Sequence, residues 1–574
     1  MKKGFFGVLF AGFFCIPPLF AQYKSTIKNE TILYNNIDQL LPLTGLDQLR
    51  IAVVVPHADK YAPFTNQLAR YTNITVLDFS KFDEDIKYYN TIIVAGKEDD
   101  LDADCLAQLK QAVLNNKKVV LCHFFEHERG KKAVSEHLQS DLIELLAPFT
   151  TAGQYNAAMS IFGGAAITEG NVTTTQTRLQ YSSGKNSNLN LGKLTKKIDA
   201  IAQEAIDKQA TPGAVVMIVK DGQVLLEKSY GYHTYTKAIP TKVSDIFDLA
   251  SVSKIAGTTP VIMRLTERNI INLDSTMGHY LWQAKYTNKK DIKLRSVMLH
   301  EAGFTPFIPF YKYLKAGDVV GSPDQQHQVK MADNSYILNH YYRDVMWPEM
   351  LKSPVKPTGN YVYSDISMYV MKEVAEHQTA VPMQDYVQEN FYRPLGMTHA
   401  GYLPRERFAK EQIVPTEQDT SFRRTLLEGY VHDQGAAMAG GIAGHAGLFA
   451  TANDLAIYGQ LLLNRGEYGG ERYFKTETID QFTSKQSISS RRGLGFDRWD
   501  PNPKNEYPSK LANSTVFGHT GYTGTCIWVD PQNQLIYIFL SNRVHPQVST
   551  KLLDLNIRSR IQDAIYETIN EAKK

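Results

Sequence analysis

The sequence predicts two folded domains in series: an α/β domain on a parallel sheet with helices on both faces, then a domain that opens with an antiparallel hairpin and a helix. Three observations carry this. The chain has 574 residues, too many for one ordinary domain. Between Arg50 and about Phe125, short apolar runs alternate with helical patterns, which is how consecutive βα units read. Beyond residue 210, two apolar runs are separated only by Asp221-Gly222, a pair that favours a tight hairpin turn.

The N-terminus comes first. Met1-Lys2-Lys3, the apolar run Gly4 to Phe14 and the Pro17-Pro18 break before Ala21 have the layout of a secretory signal peptide over residues 1–21. The run is shorter than the ~20 residues a membrane span needs. Cys15 follows two phenylalanines rather than the small residues of a lipoprotein signal. The expected location is therefore periplasmic or secreted, with no stable membrane span in the mature chain. A formal charge of +3 gives no pull toward nucleic acid.

Cleavage leaves Cys105, Cys122 and Cys526, an odd set that favours buried thiols, although a Cys105–Cys122 bridge stays open. Cys122, His123 and His127 lack the further ligands a zinc site needs, so no metal is expected there, and no cofactor elsewhere.

In the first domain, residues 22–170, Ile51 to Pro56, Ile74 to Phe79, Thr91 to Ala95 and Val119 to Phe124 read as buried strands. Phe64 to Tyr71 and Leu106 to Leu114 read as helices between them. No Gly-x-Gly-x-x-Gly follows the first strand, so no dinucleotide fingerprint is present. Tyr34-Asn35-Asn36, Leu41-Pro42-Leu43, Arg50-Ile51-Ala52-Val53, and Gln154 to Ala158 leading to Phe162-Gly163-Gly164 resemble the C-terminal α/β domain of family-three glycoside hydrolases. Those enzymes carry their nucleophile on a preceding barrel. The resemblance therefore implies a fold here and not a glycosidase.

Residues 171–193 are polar, with Thr173-Thr174-Thr175 and Ser182-Ser183-Gly184, and read as a flexible linker. The second domain, 194–574, opens with a helical pattern at Leu194, Ile198 and Ile201, then Gly213 to Val219, the Asp221-Gly222 turn and Val224 to Glu227.

Ser251 follows, with Lys254 three residues on, at the start of an amphipathic helical run that includes Ile255, Ile262 and Leu265. Residues i and i+3 share a helix face, so the amine can reach the hydroxyl and activate it as a nucleophile. The spacing alone is weak. It also occurs at Ser25–Lys28 and Ser182–Lys185, in polar stretches that cannot hold a nucleophile in place.

Two later segments single out Ser251: Tyr361-Val362-Tyr363-Ser364-Asp365, opening a helical run, and Phe517-Gly518-His519-Thr520-Gly521-Tyr522, leading into an apolar strand. In chain order, Ser-x-x-Lys, Tyr-Ser-Asp and His-Thr-Gly resemble the three motifs of class C serine β-lactamases, penicillin-binding DD-peptidases and their esterase relatives. The resemblance spans about residues 195–570, including Leu299 to Phe304, Arg393 to Met397 and Gly444 to Phe449.

It implies an α+β domain, an antiparallel sheet flanked by a helical subdomain. It further implies that Ser251 attacks an acyl carbonyl, that Lys254 and Tyr363 carry protons, and that an acyl-enzyme forms. Asp365, His519, Thr520, Gly521 and Tyr522 fall at substrate-binding and oxyanion positions, the last donating its backbone N–H. The implied activity is an esterase or D-amino-acid amidase on a small molecule or a peptidoglycan-derived substrate. A β-lactamase, or a catalytically weak cell-wall or carbohydrate binder, is the alternative.

Two residues depart from the pattern. His519 stands where lactamases and many DD-peptidases have lysine, and an ordinary imidazole is mostly neutral at pH 7, so a substrate carboxylate loses a fixed cation. Asp365 replaces asparagine, and an ionised carboxylate accepts but cannot donate hydrogen bonds. No Gly-x-Ser-x-Gly elbow and no His-Glu-x-x-His occurs, which removes the common α/β-hydrolase and zinc-peptidase signatures. His300 and His445, each beside glycine, read as packing residues.

Overall fold

Uninterrupted runs of Val, Ile and Ala are stable as strands only where both sheet faces are covered. In the computed structural model, which describes residues 31–79, 85–101, 103–126, 142–182 and 187–573, the first domain meets that condition. Residues 1–21, the Ser25–Lys28 pair, His127 and Lys185 lie outside the described residues.

Strands β1 (Ile32–Asn35), β2 (Ile51–Val55), β3 (Ile74–Asp78), β4 (Thr91–Lys97), β5 (Lys118–Phe125), β6 (Ile143–Pro148) and β7 (Glu169–Gly170) form one sheet in the order β3-β2-β4-β5-β6-β1-β7. The stretch from β3 to β6 is parallel, and β1 joins β6 antiparallel. Helices α1 (Ala62–Leu68) and α3 (Thr151–Ile161) cover the face that carries Val53 and Val120; α2 (Ala103–Leu114) covers the face that carries Val54 and Ile92.

All the strands and helices expected between Arg50 and Phe125 are present. β6 escapes the pattern because Glu144 interrupts its apolar run, buried with its carboxylate 3.5 Å from His123 on β5. Cys105 packs beneath one face of the sheet and Cys122 beneath the other, so the bridge that composition left open does not form. Cys105, Cys122 and Cys526 are free and buried.

The polar segment 171–193 is partly a docking strap rather than a free linker. Arg178 is buried and donates from Nη1 to the carbonyls of Leu43, at 2.8 Å, and Phe162, at 2.6 Å. Leu179 is buried, and its carbonyl accepts from Tyr71 Oη at 2.8 Å. Gln180 pairs with the edge of the second domain's sheet through Gly222 and Val224. Its polar residues thus satisfy backbone groups at a junction, which composition cannot distinguish from solvation. Arg70 strengthens the junction with an ion pair to Glu227 at 2.7 Å, its guanidinium 3.8 Å from the Tyr181 ring centroid. At Gly396, φ is +80° and a Cβ would lie 2.0 Å from the Tyr71 carbonyl oxygen, so the two domains meet backbone to backbone.

The second domain starts with α4 (Leu191–Asp207) and the hairpin β8 (Gly213–Lys220) and β9 (Gln223–Gly231). Asp221 and Gly222 both have positive φ, as the tight turn requires. With β10 (Asp497–Arg498), β11 (Phe517–Thr520), β12 (Cys526–Asp530) and β13 (Leu535–Ser541) they form an antiparallel sheet ordered β10-β11-β12-β13-β8-β9. Alternation along β8 divides the core: Ala214, Val216 and Ile218 pack on α4 and α8 (Ile557–Ala572). Val215, Met217 and Val219 face a helical region that includes α5 (Thr259–Glu267), α6 (Ile366–Thr379) and α7 (Ala452–Leu463). No described helix is long and apolar enough to cross a membrane.

The helix expected to run from Ser251 is not one regular helix. A 3-10 turn, Ala250–Val252, and a π turn, Lys254–Thr258, precede α5. Pro260 brings no N–H to the preceding turn. The carbonyls left over are taken by side chains: Tyr392 Oη donates to Ala256 at 2.9 Å, Tyr458 Oη to Ile255 at 2.5 Å and Thr259 Oγ1 to Lys254 at 2.8 Å.

Arg178→Ala strands two buried carbonyls at the domain junction, and the expected loss of stability is about 1.5–3 kcal/mol. Denaturant unfolding followed by intrinsic fluorescence measures it. Unchanged stability would mean the strap does not hold the domains.

Candidate active site

Ser251 is presented by a sharp turn. Ala250 has φ of +46°, which a residue with a Cβ adopts only when its surroundings insist. Those surroundings are the Asp248 carboxylate, accepting from Ala250 N at 2.8 Å and from His432 N at 2.7 Å, and two threonines of the facing strand region. Thr523 Oγ1 donates to Asp248 O at 2.7 Å and Thr525 Oγ1 to Leu249 O at 3.0 Å. A Cβ on Gly521 would sit 2.4 Å from Leu249 O, so only glycine allows this approach. Burial raises the Asp248 carboxyl to about 6, partly offset by the two N–H groups it accepts from.

The Ser251 hydroxyl lies between an amine and a phenol. Lys254 Nζ is 2.9 Å from Ser251 Oγ, and Tyr363 Oη is 3.0 Å from it. Lys254 also donates to Asp365 Oδ1 at 2.8 Å and to the carbonyl of His445 at 3.3 Å, which uses all three of its N–H bonds. Its burial disfavours the charge, but the Asp365 carboxylate, helped by Tyr363, more than compensates and holds the ammonium above its ordinary range. Burial likewise raises the Tyr363 phenol, against the opposing pull of Lys254.

Asp365, expected at a substrate amide, is therefore committed to Lys254, because a carboxylate beside a buried ammonium stabilises both. Asp433 stands next to it, held well below the carboxylate range by His445 despite its burial, with Oδ1 2.9 Å from His445 Nε2. Asp365, Asp433 and His445 bring three ligand-type atoms within 4.8 Å of one another. Lys254 already balances Asp365, and His445 already engages Asp433.

His519 is buried at the end of β11 and does not face the Ser251 cavity. Its Nδ1 is 2.7 Å from the Thr520 carbonyl, and its Nε2 is 3.2 Å from Arg492 Nη1. A carbonyl can only accept and a guanidinium can only donate, so the ring is the neutral Nδ1–H tautomer. Burial, reinforced by Arg492, lowers it to about 3.

A cation stands close by nonetheless: Arg492 is buried, with Nη2 3.0 Å from Tyr361 Oη and Cζ 5.4 Å from the Tyr363 ring centroid. The sequence carried a faint signal, the Arg491-Arg492 pair in a loop 27 residues before His519, whose relevance depends on tertiary proximity. Arg492 and Tyr361 also line a cavity of about 320 Å³ with Lys485 and Arg491.

The cavity over Ser251 measures about 500 Å³ and is lined by Tyr363, Asp365, Asp433, His432, Tyr522 and the aromatic run from Phe307 to Tyr311. Tyr522 is 51% exposed, stacked on His432 with ring centroids 5.4 Å apart. Lys254 is fully buried and does not line the cavity, Gly521 packs against the Ser251 turn, and Thr520 contributes its carbonyl to His519. His300 does more than pack: its Nδ1 accepts from Ser364 N at 3.2 Å, and its ring lies 4.6 Å from that of Tyr363.

A hydroxyl between an amine and a phenol, at the edge of an open cavity and backed by fixed cations, is equipped for acyl transfer. Comparison with known proteins agrees. The family model described as Beta-lactamase matches residues 198–561. A protein of Escherichia coli O157:H7 named "Putative D-alanyl-D-alanine carboxypeptidase" is 28% identical over 395 residues, covering 65% of this chain and 87% of that protein. A protein of Salmonella heidelberg (strain SL476) with the same name is 27% identical over 391 residues, covering 63% and 85%. Among solved structures, EstCE1, a hydrolase with promiscuous acyltransferase activity, superposes with a TM-score of 0.50 at 19% identity, covering 66% of this chain and 99% of its own, which shows a shared fold.

His519 is expected to stay neutral from pH 8 to pH 5, observable by its ring nitrogen shifts in NMR. Because its folded-state value lies below that of the free imidazole, protonation favours the unfolded chain, and stability contributed at this site declines as pH falls below about 6.5. A titration of His519 near pH 6.5 would contradict the tautomer assignment.

Proposed function

The chain belongs to the beta-lactamase family and is a serine hydrolase of the β-lactamase and penicillin-binding-protein superfamily, and we propose that it is an exported acyl-enzyme peptidase that removes a C-terminal D-amino acid from a peptidoglycan-derived substrate. The observation that carries the reading is the placement of Ser251 Oγ within 3.0 Å of both Lys254 Nζ and Tyr363 Oη.

In this reading Ser251 attacks the acyl carbonyl, and the neutral fraction of Lys254 takes its proton. Tyr363 passes a proton to the leaving amine. Water then hydrolyses the acyl-enzyme by the same groups in reverse. The main-chain N–H groups of Ser251 and Tyr522 receive the developing oxyanion; Gly521 makes that closeness available. Arg492 supports a substrate with a terminal carboxylate, since it places a permanent positive charge beside Tyr363 where His519 cannot. Residues 1–21 supply export.

An esterase reading is favoured by one observation. The lining of the cavity includes exposed aromatic rings, Phe307 at 62% and Tyr522 at 51%, and such a lining suits an apolar acyl or alcohol group.

Exposure to a fluorophosphonate or a penicillin is expected to leave a single adduct on Ser251, seen by mass spectrometry and absent in Ser251→Ala. Side-by-side rates on a D-Ala-D-Ala peptide, a p-nitrophenyl ester and nitrocefin are expected to rank the peptide first. Ester hydrolysis alone selects the second reading, fast nitrocefin turnover makes the protein a β-lactamase, and silence on all three removes the enzymatic proposal.

Asp365→Asn removes the carboxylate that keeps Lys254 charged. The acid limb of the kcat/KM profile is then expected to move to lower pH by roughly 1–3 units, the range for loss of one adjacent opposite charge. An unmoved limb would mean Lys254 is not the base.

A further inference from the structure

Two unfavourable features meet at one buried residue beside the site. His300 follows the short helix Leu294–Met298, is 1% exposed, and has φ of +57°, a region that residues with a Cβ seldom occupy. Its Nδ1 accepts from Ser364 N at 3.2 Å, so the neutral ring carries its proton on Nε2. That Nε2 is buried and has no hydrogen-bond partner among the described residues. Burial, reinforced by Arg492 and Lys254, holds the imidazole well below its ordinary range, so it stays uncharged. A strained backbone and an unpaired buried N–H both lower stability, and such outliers point to a function of the residue that bears them.

What the arrangement secures is the segment that carries Tyr363. The His300 carbonyl accepts from Val362 N at 2.8 Å while its ring accepts from Ser364 N, so one residue binds the main chain immediately before and immediately after Tyr363. The same ring lies 4.6 Å from the Tyr363 ring, inclined at 36°. Further bonds continue the attachment: Ser364 Oγ donates to Thr305 O at 2.6 Å, and Asp365 N to Pro306 O at 2.9 Å. Those acceptors are main-chain carbonyls, which any residue would supply. The Nδ1 acceptor and the ring contact depend on the His300 side chain.

We propose that His300 is a positioning residue, whose imidazole, through the Nδ1 bond to Ser364 N and the contact with the Tyr363 ring, fixes the Tyr363 hydroxyl at its 3.0 Å distance from Ser251 Oγ. His300 does not line the Ser251 cavity, so its side chain reaches the reacting groups through Tyr363. The hydroxyl stands at the far end of its side chain, where a small rotation of the main chain is amplified, and a misplacement of ~1 Å can cost about 100-fold in rate. The inference rests on the reading of Tyr363 as a proton carrier, and it assigns His300 to kcat rather than to substrate affinity.

The test is a double-mutant cycle in the full-length protein, with kcat and KM measured on a D-Ala-D-Ala peptide or a p-nitrophenyl ester, whichever the wild type turns over faster. Asparagine tolerates the left-handed backbone and keeps an acceptor for Ser364 N, whereas glycine tolerates the backbone and keeps neither the acceptor nor the ring. His300→Gly is expected to lower kcat by about 10–100-fold with KM within about twofold, and His300→Asn to recover part of that loss. Tyr363→Phe is expected to lower kcat by about 10²–10⁴-fold, and adding either His300 substitution to it to cost less than about twofold more. Melting temperatures above the assay temperature separate misplacement from unfolding; if His300→Gly does not fold, His300→Asn carries the cycle. Wild-type kcat in both His300 variants overturns the proposal, and so does an equal loss with and without the Tyr363 hydroxyl. Wild-type activity of Tyr363→Phe overturns the reading of Tyr363 and the proposal with it, as does silence of the wild type on both substrates.

Discussion

A fully buried ammonium, that of Lys254, is the constraint around which the second domain is arranged. Removing a charge from water is expensive unless an opposite charge and enough acceptors replace the solvent. Here the replacement is complete: Ser251 Oγ, Asp365 Oδ1 and the His445 carbonyl take its three N–H bonds. Each acceptor comes from a different part of the chain, so satisfying Lys254 requires the Ser251 turn, the start of α6 and the loop before α7 to converge. The requirement also explains why Asp365 is tolerated where the family motif has asparagine. A carboxylate there is the counter-ion of Lys254.

The second cation has the opposite role toward its neighbour. Burial, reinforced by the facing Arg492, keeps His519 neutral; Lys254 faces Asp365 and is itself kept charged. The imidazole that interrupts the usual lysine position has thereby become a hydrogen-bond acceptor for a guanidinium. The positive charge survives in the neighbourhood, moved from the strand to the loop before β10. Asp497 anchors that loop, its carboxylate held far below its usual range by Arg492 and Arg491 despite burial. Chemistry that looked depleted in charge is therefore charged by other residues.

The junction between the domains follows the same economy of polar groups. Arg178 and Tyr71 satisfy main-chain carbonyls, and Arg70 pairs with Glu227 beneath the Tyr181 ring, so a polar segment is consumed by the interface. The α/β domain is held against the hydrolase domain by buried hydrogen bonds rather than carried on a tether. Among the described residues, its sheet contributes none to the lining of the Ser251 cavity.

The architecture was legible in the sequence where periodicity is local: the β2 to β5 strands, the hairpin at Asp221-Gly222 and α4 declare themselves through alternation and turn chemistry. The meeting of Ser251, Lys254 and Tyr363 was legible as well, because the three residues sit in short motifs whose order along the chain is itself information. What the sequence could not determine is every property that depends on a distant neighbour. Glu144 hides a strand because its partner His123 lies on another one; Cys105 and Cys122 cannot meet because a sheet stands between them; Pro260 is accommodated only because Tyr392 and Tyr458 arrive from elsewhere. The charge state of the site belongs to the same class. Asp365 and His519 are visible as departures, but whether they weaken or reorganise the site was decided by Lys254 and Arg492, through electrostatics that act over a few ångströms in space and over 27 to 111 residues in sequence.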